Sequence, residues 1–221
     1  MRVAALHDVH GNLPALEAVL AEVTAERVDA IVCGGDVAAG PFPRECVARL
    51  REHRAHFVRG NAERLLSPWL LAELPVDTQA FLGALPHRLV LGDVLYCHGS
   101  PRSDDEILTK VSPPERLAAA LGGVEQDLVV AGHTHVQFET AVGGVRFANA
   151  GSVGMPYEGR RGAFWALVDG TRIELRHTPY AVEAAAVAIR ATAYPNAEQL
   201  VASLLDPEDP DETSAYFETR A

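Results

Sequence analysis

The chain has 221 residues, 48% of them hydrophobic and 22% charged, with a formal net charge of -11. That length can bury a sizeable core, and with no Gly/Ser/Pro-rich linker to divide it we expect a single domain over residues 1–205. The acidic balance argues against a surface that tracks a polynucleotide backbone, while a small phosphorylated substrate stays compatible because bound cations would reverse the local sign.

Residues 2–6 are too short an apolar run for a signal peptide and lead directly into His7-Asp8-Val9-His10. They read as a first strand, in a cytoplasmic protein with no membrane partner. Asn12 is placed to cap a helix with Pro14 in its first turn and Leu16, Val19, Leu20 and Val23 on one face. Residues 29–33 form the next strand, ended by Gly34-Gly35-Asp36. A helix over about 44–53 then leads to a third strand at 56–59, ended by Gly60-Asn61. Residues 63–85 read as helical with a break at Leu74-Pro75. Residues 88–91 and 94–97 flank Gly92-Asp93 as a hairpin that ends in His98.

After a polar loop at 101–112 and a helix at 113–121, the apolar strand 127–131 stops at Gly132-His133-Thr134-His135. Residues 136–142, 145–148, 163–168 and 172–176 read as antiparallel strands, followed by helices at about 181–193 and 196–205. Residues 206–221 hold six acids, two prolines and one arginine. That is the composition of a flexible, solvated tail, and we expect the chemistry to do without it.

The strand ends deliver seven side chains with oxygen or nitrogen donors: Asp8, His10, Asp36, Asn61, His98, His133 and His135. The intervals are 28 residues from Asp8 to Asp36, then 25 to Asn61, 37 to His98 and 35 to His133. Each is long enough for one or two elements that return the chain to one sheet edge, where open α/β sheets place their sites. Mixed His/Asp/Asn donors suit Mn, Fe, Zn, Co or Ni better than Mg.

Asp8-x-His10, Gly35-Asp36, Gly60-Asn61, His98 and Gly132-His133-x-His135, followed by Asn149-Ala150-Gly151-Ser152-Val153-Gly154, resemble the motif series of the calcineurin-like metallophosphoesterases over about residues 1–155. The resemblance implies an α/β fold, a four-layer α-β-β-α sandwich of two mixed sheets flanked by helices. It assigns Asp8, His10 and His135 to one metal and Asn61, His98 and His133 to another, with Asp36 bridging. Mn(II) is the first choice, with Fe, Zn, Ni or Co as alternatives. The implied activity is hydrolysis of phosphate esters, diesters ahead of monoesters, with Asp36, Asn61, His98 and His133 at the reacting centre. Two adjacent cations would lower the pKa of a bridging water and clamp the phosphoryl oxygens. A protein phosphatase or a dinucleoside polyphosphate hydrolase are alternative enzymes. A non-catalytic scaffold on the same fold is the alternative of another class, which lost ligands would favour; none is lost.

One departure from the family pattern stands out. Many relatives have histidine directly after the asparagine, placed to protonate the leaving oxygen, and here that position is Ala62. The resemblance then implies that this general acid is missing and that activated esters and diesters are preferred. Glu63 could replace it only if it turned inward and stayed protonated. Elsewhere the plain readings are expected: His7 alternates away from Asp8 and is packed or hydrogen-bonded rather than a ligand, Arg102, Arg160 and Arg161 lie in loops that could reach a substrate but are solvated by default, and Cys33, Cys46 and Cys97 are buried free thiols.

Overall fold

The first strand shows how alternation builds the layers. In the computed structural model, which describes residues 1–221, β1 (Arg2–Leu6) points Val3 and Ala5 to one face and Ala4 and Leu6 to the other. Ala4 and Leu6 pack beneath α1 (Leu13–Glu26) and α2 (Pro43–Glu52), through Leu16, Val19, Cys46 and Leu50. Val3 and Ala5 meet Val94, Tyr96, Leu128, Val130 and Ala148 of a second sheet. The far face of that sheet, with Leu95, Cys97, Val129 and Phe147, is covered by Leu117 and Ala120 of α6 (Pro114–Ala120). The four-layer α/β sandwich implied by the motifs is therefore present.

The first sheet adds β2 (Ala30–Cys33), β3 (His56–Phe57), β9 (Ala163–Asp169) and β10 (Arg172–Thr178) in the order β10-β9-β1-β2-β3. The second contains β4 (Arg88–Leu91), β5 (Val94–Cys97), β6 (Leu128–Ala131), β7 (Phe138–Val142) and β8 (Val145–Asn149) in the order β4-β5-β6-β8-β7. β1, β2 and β3 run parallel, and so do β5, β6 and β8. The strands that precede the candidate ligands are all among these six. Their C-terminal ends collect at one edge, whereas the antiparallel β4, β7, β9 and β10 carry none of the seven residues.

Three expectations change. The third strand is two residues long: its partner β2 ends at Cys33, and the Val58 N–H donated to the Cys33 carbonyl closes the ladder. The four late strands are not one antiparallel set: β7/β8 and β9/β10 are hairpins in different sheets, and β8 also pairs parallel to β6. The acidic C-terminal segment is not a solvated tail but contains α9 (Pro210–Glu218). The acids and proline that suggested disorder are helix-start chemistry. Asp209 caps the N–H groups of Asp211 and Glu212, Pro210 occupies the first turn, and the acids complement the macrodipole. At the other end, Glu218 accepts from Thr109 (2.7 Å) and Ser112 (2.5 Å) and pairs with Arg116.

Between β3 and β4 the chain forms α3 (Asn61–Arg64), α4 (Pro68–Glu73) and α5 (Val76–Gly83), whose Leu70 and Leu82 pack in the cluster under α1 and α2. α7 (Val182–Arg190) and α8 (Ala197–Leu205) make a separate apolar contact through Ile189, Val201 and Leu204, against which Met155 and Tyr194 pack. That pair stands beside the sheet edge where the ligands gather. No helix is long and apolar enough to cross a membrane.

Candidate metal centre

Each ligand follows a strand by one to four residues, and the turn that carries it is tight. Asp8, His10, Asp36, His133 and His135 all have positive φ, between 46° and 70°. Left-handed backbone costs a non-glycine residue of the order of 1–3 kcal/mol and persists only where the surroundings over-determine it. Here they do. Asp8 and His10 donate their N–H groups to the carbonyls of Gly35 and Asp36, Gly132 donates to His98, and Gly154 to Asp8. The Asn149 amide donates to Gly132 O at 2.6 Å, and Ser152 Oγ donates to Asp8 O at 2.8 Å. The glycines before the ligands serve close approach: a Cβ at Gly60 would lie 2.1 Å from Asp36 Oδ1, and one at Gly132 would lie 2.3 Å from Asp8 Oδ2.

Three imidazoles are turned the same way. The Nδ1–H of His98 donates to Gly34 O at 2.9 Å, that of His135 to Met155 O at 2.7 Å, and that of His10 to Ala39 O at 3.3 Å. This leaves three Nε2 lone pairs directed inward, the orientation that a carbonyl partner imposes on a metal-binding histidine. They surround Asp8 Oδ1, at 3.2 Å from His135, 3.6 Å from His10 and 3.8 Å from His98. That oxygen is buried and accepts no hydrogen bond. His10 Nε2 and His135 Nε2 face each other at 3.2 Å, and His98 Nε2 faces Asn61 Oδ1 at 3.0 Å. Asp36 reaches both groups, with Oδ2 3.8 Å from His10 and Oδ1 3.6 Å from His98. Lone pairs set against lone pairs repel unless a proton or a cation lies between them, so the donor set fits a metal. The ligand atoms of Asp8, His10 and His135 lie within 4.8 Å of one another, as do those of His7, Asp8 and His98.

The charges respond to this crowding. Burial pushes the Asp8 carboxyl up, but His135 and His98 together outweigh it and hold it well below the usual carboxylate range. Burial pulls the His10 imidazole down, but Asp8 and Asp36 prevail and carry it up to about 9. His133 is brought down to about 4 by burial and by His98, on whose ring it stands edge-on at 5.1 Å between centroids. His133 belongs to the cluster through its backbone as well, since its N–H donates to Asp8 Oδ2 at 2.8 Å.

Several plain readings hold. Asn12 caps α1 by accepting from Ala15 N–H, and Cys33, Cys46 and Cys97 are buried and unpaired. Arg102 pairs with Glu106, Arg161 with Glu183, and Arg160 lies over the Phe164 ring. His7 departs from its plain reading: it is fully buried with neither ring nitrogen bonded, a donor atom of its ring lies within 4.8 Å of those of Asp8 and His98 rather than turned away, and burial holds it at about 4. Its ring occupies the space that a Cβ at Gly34 would need.

Glu63 is the residue whose role the sequence did not reveal. It is buried, and it accepts from Asp36 N–H (2.7 Å), Val37 N–H (2.9 Å) and Gly60 N–H (2.9 Å). It thus clamps the turn that carries Asp36 to the turn that carries Asn61, with both carboxylate oxygens taken up by backbone N–H groups. Its spacing from Gly60, three residues into a short helix, is a capping-box signal. Tyr157 was also missed; its ring stacks on His135 at 5.0 Å and 16°.

The family model for the calcineurin-like phosphoesterase superfamily domain matches residues 1–173. Among solved structures, a metallophosphoesterase from Sphaerobacter thermophilus is 30% identical with a TM-score of 0.80, over 93% of this chain and 99% of that one. A hypothetical protein of Pyrococcus horikoshii shares the fold at 20% identity and a TM-score of 0.79, over 94% of this chain and 99% of that one. An uncharacterised protein of Methanocaldococcus jannaschii is 25% identical over 223 residues, 83% of this chain and 89% of that protein. With the motif series, the sandwich and the ligand cluster in agreement, the chain belongs to the calcineurin-like phosphoesterase superfamily.

Proposed function

We propose that the protein hydrolyses esters of small phosphorylated compounds, diesters ahead of monoesters, with two divalent transition-metal ions, Mn(II) first. The observation that carries this reading is the buried, unbonded Asp8 Oδ1 ringed by three Nε2 atoms whose Nδ1 partners are backbone carbonyls. Asp8, His10 and His135 would hold one cation, and Asn61, His98 and His133 the other, with Asp36 shared. Bound there, the cations supply Lewis-acid polarisation of the phosphoryl oxygens and an acidified water.

The chain's own residues do the rest. Asp36 is held in place by the Ala62 N–H, which donates to its Oδ1 at 2.9 Å, and by the Glu63 clamp on its backbone. Ala62 lines the open cleft above the cluster and has no proton to give. Glu63 is turned to three backbone N–H groups. Neither can protonate a leaving alkoxide, a contribution worth roughly 10² to 10⁴ in rate when well placed. This supports a preference for esters whose leaving groups depart unaided. Buried free thiols fit a cytoplasmic setting.

The test is to strip the protein of metal, restore Mn, Ni, Co, Zn or Mg singly, and measure rates over a series of phosphate diesters and monoesters of rising leaving-group pKa. We expect Mn-supported turnover with a steep dependence on leaving-group pKa, flattened in Ala62→His. Absence of hydrolysis with every metal would overturn the proposal. Equal slopes in both proteins would overturn the missing-acid account alone.

A further inference from the structure

The cleft above the metal cluster encloses about 350 Å³, with His10, Asp36 and Asn61 on its floor. Its walls are Met155, Tyr157, Tyr194, Asn196, Gln199 and Leu200. A second hollow of about 290 Å³ shares Met155, Tyr157 and Gln199 and continues along α8 to Ser203, Asp206 and Glu208. Residues 194–208 lie beyond the 1–173 covered by the family model, so this wall is particular to the C-terminal part of the chain.

Its chemistry is selective in three ways. No lysine or arginine lines either hollow, and the far end carries two carboxylates, so a second phosphate would find repulsion rather than a partner. Both tyrosine rings are held by other rings: Tyr157 between His135 and Phe217 (5.0 and 6.2 Å), and Tyr194 on Trp69 (5.9 Å), whose Nε1–H donates to Gly40 O. Fixed aromatic walls offer area to a planar group at little ordering cost. Asn196 and Gln199, three residues apart at the start of α8, are exposed carboxamides that line the cleft; Asn196 caps no backbone N–H and lies beside the Tyr194 hydroxyl. Each presents a donor and an acceptor.

We infer that Tyr157, Tyr194, Asn196 and Gln199 determine specificity, and that the part of the substrate beyond its phosphoryl group is an uncharged, planar, hydrogen-bonding group rather than one bearing a second phosphate. This rests on the hydrolase reading for the position of the phosphoryl group.

Calorimetry on the Mn-loaded protein tests it, with methyl phosphate, phenyl phosphate, thymidine 5′-phosphate and thymidine 3′,5′-bisphosphate as probes and hydrolysis of bis(4-nitrophenyl) phosphate followed in parallel. Thymidine 5′-phosphate should bind tightest, about tenfold better than phenyl phosphate, and the bisphosphate should bind more weakly than the monophosphate. Asn196→Ala and Gln199→Ala, both at exposed positions, should remove the advantage of thymidine 5′-phosphate over phenyl phosphate and leave methyl phosphate affinity unchanged. Equal affinities for all four probes, or tighter binding of the bisphosphate, would overturn the inference while leaving hydrolysis intact. Absence of turnover alongside the expected affinity order would sink the hydrolase reading instead.

Discussion

Divided as proposed between two cations, the two halves of the donor cluster are built differently. The Asp8 half has a carboxylate of its own, two imidazoles tied to backbone carbonyls, and a tyrosine ring stacked on His135. The Asn61 half has a neutral amide and one tied imidazole, His98, while the His133 ring stands edge-on to His98 with no carbonyl to orient it. The only carboxylate among the ligands assigned to it is the shared one, Asp36. A doubly charged ion gains more from a full carboxylate plus a shared one than from the shared one alone. We therefore expect the Asp8 half to retain its cation and the Asn61 half to exchange first.

The substitution that should break the comparison most completely is Asp36→Asn, which withdraws the charge both halves use. We expect activity to fall on the order of 10³-fold and metal content, measured by inductively coupled plasma spectrometry after dialysis, to fall in both halves together. His135→Ala should empty the Asp8 half selectively and reverse the order in which a chelator removes metal. Asn61→Asp should sharpen the point from the other side, because the added charge should make its half hold metal as firmly as its neighbour. Equal chelator resistance of the two halves in wild type would end the comparison.

Glu63 links the halves through backbone rather than metal. Glu63→Gln keeps the volume but offers one acceptor oxygen and sets an amide N–H against a backbone N–H. Leaving a buried donor unpaired costs about 1–3 kcal/mol. A fall of several degrees in Tm, with loss of metal mainly from the Asn61 half, is the expected result.

The smallest effect should come from truncation after Leu205, which the composition alone presents as harmless. Phe217 packs on Tyr157, which packs on His135, and Glu218 anchors Thr109, Ser112 and Arg116. Removing α9 should raise KM several-fold through the loosened Tyr157 wall, with little change in kcat. An unchanged KM would restore the view of this segment as dispensable.

What the sequence reveals and what it hides have separate physical origins. The seven donors are legible because parallel strands must end at one edge, and apolar runs stopped by glycine mark those ends. The left-handed backbone at Asp8, His10, Asp36, His133 and His135 is not, since αL is set by cross-turn hydrogen bonds rather than by residue type. The Glu63 clamp hides in a short motif that reads equally as a surface helix start. The cleft wall at Tyr194, Asn196 and Gln199 is invisible because nothing local tells a helix that it faces a site. α9 is misread because Asp209, Pro210 and Asp211 look the same in a helix cap as in a solvated tail.

Anomalous diffraction from crystals loaded with Mn and then treated with a graded series of chelator concentrations tests the central claim most directly. The account predicts two peaks in the untreated crystals, one among Asp8, His10 and His135 and one among Asn61, His98 and His133, with the second losing occupancy first. A single peak at every concentration, peaks away from these residues, or earlier loss from the Asp8 half would contradict it.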